Sequence, residues 1–251
     1  MKRIVGLMLM IAMLLSVSAL AENRDIDFRG LPWGCSPAEA IELLKKDLQI
    51  DEIEIKFSYV FYNLRQYEEV SKVSNYPLVE MLKCSITVPD LKVAGYKTQN
   101  KDNIELYFLP ILSEDGQSYS LSEQEGMLWR AVYPVISKPG DVMKWTMRED
   151  LEGKLEALYG KKEARSFTRY EYSNGEWGNR YRTFEYYSSE TGTLELSSPS
   201  EYSYHTLDYR WMLTGDVMSD ARQTVIIREM EAEAEEQRKL NQSVGNSTDG
   251  L

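Results

Sequence analysis

Two helix starts, each followed by a train of alternating strands, constrain this chain more than any other feature of its sequence. Ser36 is a good N-cap, Pro37 suits the first helical position, and Glu39 completes a capping box. Ala40, Ile41, Leu44 and Leu48 then recur at helical spacing, which predicts a helix from Pro37 to about Asp47 with Trp33 packed beside its start. Strands follow. Ile53, Ile55, Phe57, Tyr59 and Phe61 alternate with Glu54, Lys56 and Ser58, and Leu82, Cys84, Ile86 and Val88 alternate with Lys83, Ser85 and Thr87. Each pattern predicts a strand with one buried face. Leu91–Thr98 and Ile104–Ile111 flank a polar turn and read as a hairpin, and Leu128–Ile136 reads as a further strand.

Pro139-Gly140 breaks the pattern, and a second unit begins as the first did. Thr146 reads as an N-cap and Glu149 as its capping-box partner. Met147, Leu151, Leu155 and Leu158 form an apolar stripe, and Gly160 sits where a helix C-terminus favours a left-handed residue. The segments Phe167–Tyr172, Tyr181–Tyr187, Thr193–Leu196, Leu207–Leu213 and Thr224–Arg228 read as strands. From Glu229 to about Gln242 the residues are helix-forming and charged. The fold class expected is α+β: two helix-plus-antiparallel-sheet units, in the manner of a degenerate duplication, with a charged C-terminal helix. The expected units are residues 22–138 and 139–228, followed by a charged helix and flexible tail at 229–251.

The first 21 residues read as a secretory signal peptide: Lys2 and Arg3, an apolar stretch to Val17, and the small-x-small site Ala19-Leu20-Ala21. Its removal takes away two bases and no acid, so the net charge goes from −11 to −13. An acidic, secreted or periplasmic protein is the expectation, with no membrane span in the mature chain. Nucleic acid is excluded as a partner, because that charge repels phosphate.

Phe28-Arg29-Gly30-Leu31-Pro32-Trp33-Gly34-Cys35-Ser36 resembles the opening of a class of uncharacterised exported bacterial proteins, which carry a Phe-Arg-x-x-Pro-Trp-Gly-x-Ser segment before a helix and a β-meander. Cys35 stands where those proteins often have a small polar residue. The helix-then-sheet unit also looks like the fold of small outer-membrane assembly lipoproteins and of β-lactamase inhibitor proteins. The resemblance implies export and a fold, and no particular activity.

Most routes to chemistry lack a part. His205 is the single histidine, and it lies in a polar, loop-like stretch, so a serine or cysteine nucleophile has one base to call on. Two cysteines and one histidine offer no paired metal-ligand spacing, and no phosphate-binding loop is present. No catalytic residue, metal or cofactor is therefore assigned. A carboxylate pair could hydrolyse glycosides without histidine, and Glu171, Glu176, Glu185 and Glu195 lie among aromatics. The competing reading makes them strand-face partners of Arg169, Arg180 and Arg182.

The aromatic run from Tyr170 to Trp211 is the most distinctive stretch. Trp177 and Tyr187 are its candidate binding residues, because adjacent Tyr186 and Tyr187 should face opposite sides of a strand and leave one ring less buried. Cys35 and Cys84 could form a disulfide in an exported chain, or remain two buried thiols. The functional expectation is a non-enzymatic extracytoplasmic binding or interaction module for a neutral glycan, a peptide or a basic partner protein. The alternative is a carboxylate-based hydrolase acting on envelope or dietary glycans.

Overall fold

The computed structural model describes residues 25–62, 78–98, 103–135, 143–173, 176–197 and 205–246; side chains at 97, 134–135, 143–147, 165–173, 176–184, 197, 205 and 244–246 are excepted. The segments expected to be a signal peptide and a break at Pro139-Gly140 lie outside them. In chain order the elements are α1 (Pro37–Leu48), β1 (Glu54–Tyr62), β2 (Val79–Thr87), β3 (Lys92–Val93), β4 (Tyr96–Lys97), β5 (Ile104–Leu109), β6 (Ile111–Leu112), β7 (Tyr119–Ser120), β8 (Met127–Val135), α2 (Met143–Tyr159), β9 (Glu163–Ser173), β10 (Glu176–Ser188), β11 (Gly192–Ser197), β12 (His205–Trp211) and α3 (Gly215–Asn246).

Local chemistry accounts for the helix ends. The Ser36 Oγ accepts from the Glu39 N–H at 3.3 Å, Pro37 occupies the first turn, and Gln49 closes α1 in the left-handed conformation. Gly160 ends α2 at φ +79°, its N–H donating to the Glu156 carbonyl at 3.0 Å.

The protein is α+β, with eight strands in one antiparallel sheet of order β1-β2-β5-β8-β12-β11-β10-β9. Each half of the chain contributes a helix and then four of these strands. The last strands of the two halves, β8 and β12, pair at the centre from His205 opposite Val135 to Arg210 opposite Arg130. The first strands, β1 and β9, are left at the two edges.

One face of the sheet carries Leu82, Cys84 and Ile86 of β2, Leu106 and Phe108 of β5, Tyr133 of β8, Leu207 and Tyr209 of β12, and Leu194 of β11. Ala40 and Leu44 of α1 and Leu151 and Leu155 of α2 pack on it. Between the helices, the segment from Ile26 to Cys35 straps the centre of the sheet. Phe28 is fully buried, with ring centroids 4.6 Å from Tyr133 and 5.3 Å from Tyr209, one residue on each central strand. The strap is tied at both ends: Ile26 N–H donates to Ser189 Oγ at 3.0 Å, and Gly34 N–H donates to the Leu128 carbonyl at 2.9 Å. Trp33 packs against the same core, and its Nε1 donates to the Ile26 carbonyl at 3.1 Å.

The opposite face carries Val79, Met81, Tyr107, Trp129 and Val132, covered by Ala221 and Val225 of α3. A register shift between Tyr107, opposite Arg130, and Phe108, opposite Leu128, makes a bulge at Trp129 that adds an indole to that face.

Four expectations are corrected. Leu91–Thr98 does not pair with Ile104–Ile111: β3 folds back onto β4, because Ala94 and Gly95 both take positive φ, +51° and +91°. Segment β5 pairs instead with β2 and β8. Thr146 lies inside α2, which begins at Met143, since the sequence between Asp141 and Thr146 contains no glycine or proline to stop it. Thr224–Arg228 is helix, part of a 32-residue α3. Its short apolar run is the docking face of a helix, which alternation alone does not separate from a strand. His205 opens strand β12 rather than sitting in a loop.

Candidate interaction surface

Tyr187, one of the two candidate binding residues, is 1% exposed. Its hydroxyl donates to the Glu152 carbonyl at 3.3 Å, its ring lies 6.3 Å from that of Tyr159, and burial raises its pKa. A ring placed there, beneath α2, has no free face for a ligand. Tyr186 is less buried than Tyr187, as expected, but at 7% exposed it is not an open ring either. Trp177 lies in β10 opposite Tyr172, and its side chain is outside the described residues, as are those of His205, Glu171 and Glu176.

Cys35 and Cys84 are free thiols in the same core cluster, and burial pushes both up to about 12. A buried, protonated thiol is a poor nucleophile. Among the described residues no group of three His, Cys, Asp or Glu side chains is placed to hold a metal.

Two suspected carboxylates can be located. Glu195 sits directly opposite Tyr186, so the two share a face of the sheet, and Glu185, one residue before Tyr186, falls on the other face. Glu185 pairs with Lys162 at 2.6 Å and Glu195 with Arg210 at 3.2 Å. Carboxylates on opposite faces of a sheet cannot flank one glycosidic bond.

Sequence reasoning missed an ionic network across the α3-bearing face. Arg130 of β8 grips Asp208 of β12 with two hydrogen bonds, Nε to Oδ1 at 2.9 Å and Nη2 to Oδ2 at 2.8 Å. Arg210 donates to the same carboxylate and extends the network to Glu195. On the other side the Arg130 guanidinium lies 4.7 Å from the Tyr107 ring centroid; the Tyr107 hydroxyl donates to Glu105, and Glu105 pairs with Lys83 at 2.6 Å. Burial alone would raise the Asp208 pKa, but the two guanidiniums outweigh it and hold the carboxyl below its usual range. Among the described residues three cations, Lys83, Arg130 and Arg210, meet three anions, Glu105, Glu195 and Asp208. Its sequence signal was the polar alternation Thr206, Asp208, Arg210 on a strand expected to be ordinary.

The surfaces left open lie elsewhere. Strand β1 pairs with β2 over nine consecutive residues without a bulge, and its outer side is the edge of the sheet. Ile55 and Phe57 pack on the core, yet Tyr59 and Phe61, in the same alternation, are 56% and 57% exposed. Their expected burial fails because the strand outlasts the core that covers its beginning. Leu78 is exposed nearby, its carbonyl accepting from Arg228 Nη2 at 3.0 Å, while the Arg228 guanidinium lies 4.9 Å from the Phe61 ring centroid. The second open surface is the distal part of α3, where every residue from Glu229 to Ser243 is exposed.

Among the described residues no helix is long and apolar enough to cross a membrane. No protein-family model, curated protein or solved structure matches this chain.

Proposed function

We propose that the protein is a non-enzymatic extracytoplasmic binding module that takes an extended segment of a partner protein onto the edge of β1 that pairs with no strand among the described residues. The observation that carries the reading is the pair Tyr59 and Phe61, more than half exposed on an unbulged edge strand. Edge strands are normally protected by lysine, proline or a bulge. The charges of β1, Glu54 and Lys56, sit at its start and pair with each other at 2.7 Å, whereas Tyr59-Val60-Phe61-Tyr62 carries neither charge nor proline. Such an edge offers main-chain hydrogen bonds for affinity and aromatic side chains for selectivity. Tyr187 is buried in the core, and the exposed pair on β1 supports an aromatic contact surface there. The 21-residue leader supports an address outside the cytoplasm.

The test is selection from a phage-displayed random-peptide library on the mature protein. Peptides of alternating apolar residues should be enriched, and Tyr59→Lys with Phe61→Lys should abolish their capture while the variant keeps the wild-type circular dichroism spectrum. Enrichment of peptides that the double variant still binds equally well would overturn the reading.

A further inference from the structure

We infer that the distal half of α3, from Ile226 to Asn246, is a docking helix for a cationic amphipathic helix of a partner protein, a surface separate from β1. The helix is packed on the sheet only through its first part: Ala221, Thr224 and Val225 are buried, and Ile227 is the last buried residue. It then runs on for more than four exposed turns. Most helical stability in proteins comes from packing an apolar face, so a long unpacked extension is stabilised by little of its own.

Its charge pattern works against it. Glu229-Met230-Glu231-Ala232-Glu233-Ala234-Glu235-Glu236 holds five acids and no base in eight residues. Glu229 and Glu233 are like charges at i,i+4, as are Glu231 and Glu235, an arrangement that destabilises an isolated helix. Glu235 is relieved by Arg238 at 3.3 Å and Lys239 at 3.6 Å. Among the described residues no cation pairs with Glu229, Glu231, Glu233 or Glu236.

Between these acids runs an uncharged stripe. Ile226, Met230 and Ala234 recur every four residues, and Gln237 and Asn241 continue the line, with Glu229 and Glu233 along one side and Glu231 and Glu235 along the other. Ile226 is 49% exposed and Met230 64%. At the base of the stripe, Ile227, Met230 and Ala234 line a groove of about 510 Å³ together with Glu231, Glu235 and the Arg238 that pairs with Glu235, and its far wall is Gly116 and Gln117, after β6. The β6–β7 turn is held against the helix by Gln223, whose Nε2 donates to the Gly116 carbonyl at 3.5 Å. An apolar floor between two acidic rails is complementary to a helix with an apolar stripe flanked by lysine or arginine. A second copy of α3 would set glutamates against glutamates and is disfavoured by the same charges.

The probe is a fluorescently labelled helical peptide of leucine and lysine, about five turns long. Its leucines fall on one face, and its controls are a scrambled peptide of identical composition and a leucine–glutamate analogue. Anisotropy titration against the full mature chain should show binding of the amphipathic cationic peptide at least about tenfold tighter than of the scrambled one, and none of the acidic one. Met230→Ser, and Glu231→Gln combined with Glu233→Gln, should each weaken binding about tenfold, and the glutamine pair should also flatten its salt dependence. Tyr59→Lys should leave it unchanged, so failure of the β1 reading and failure of this one are distinguishable. Equal affinity for the scrambled peptide would reduce the effect to general charge attraction and overturn the proposal. So would failure of the amphipathic peptide to bind, or self-association of the chain that the glutamine pair abolishes.

Discussion

On the face of the sheet beneath α1 and α2, strands meet through aliphatic and aromatic side chains and the buried Phe28 strap; on the face beneath α3, the same central strands meet through Arg130, Asp208 and Arg210. Both arrangements tie the two halves of the chain together at the β8–β12 seam. They tolerate error differently. An apolar face loses stability in proportion to the contacts removed, whereas a charge network fails when one partner is taken away, because the remaining charges stay buried. The register makes this acute: Arg130 and Arg210 are directly opposite each other, and the Asp208 carboxylate that both contact offsets their repulsion, with Glu195 on the Arg210 side.

Removing the carboxylate should therefore be the most damaging change. Asp208→Ala should cost about 3–5 kcal/mol, read as the urea midpoint of unfolding. The pH dependence has a fixed sign. A carboxyl held below its unfolded value stabilises the fold fully above about pH 3.9 and loses that contribution as pH falls through its folded value. The wild type should weaken on acidification more steeply than Asp208→Asn, which has no such carboxyl to titrate. Parallel acid profiles for the two proteins would show that the seam is not held by this charge.

The apolar face can be probed at its tightest point. At Gly192 a Cβ would come within 2.5 Å of the Ile26 carbonyl oxygen, a backbone atom of the strap. Gly192→Ala should cost about 1–3 kcal/mol, since the strap must move off the seam to admit a methyl group. Gly30→Ala is the wrong control, because Gly30 has φ +73° and its own backbone strain; Gly153, in open space within α2, is the right one. A Gly192 variant as stable as wild type would mean that the strap does not bear on the sheet there.

The sequence revealed features that depend on near neighbours. The Ser36 cap, the Gly160 stop and the apolar residues Ala40, Leu44, Leu151 and Leu155 were all readable, because capping and helical periodicity act within one or two turns. What depends on distant partners was not. Tyr59 and Phe61 have the pattern of buried residues, and only the extent of the core shows that they outrun it. Asp208 looks like a solvent-facing strand residue until Arg130, 78 positions away, is brought beside it. Val225 looks like strand because residues of the cluster that buries it, Val79 and Met81, come from the other half of the chain.

Helix α3 repeats the contrast on a smaller scale, within one element. Its first half is held by Ala221 and Val225 against the sheet, and its second half touches none of that core. Ending the chain after Leu240 removes exposed helix and the tail but no buried side chain among the described residues. The melting temperature should then stay within what about 0.5 kcal/mol can shift, and circular dichroism should lose helical signal in proportion to the residues removed. Val225→Ala, by contrast, deletes two buried methyl groups and should be measurably destabilising in the same assay. If the truncation proved as costly as the core change, the distal helix would be packed on the body after all, and the surface assigned to a cationic partner would already be occupied by the protein itself.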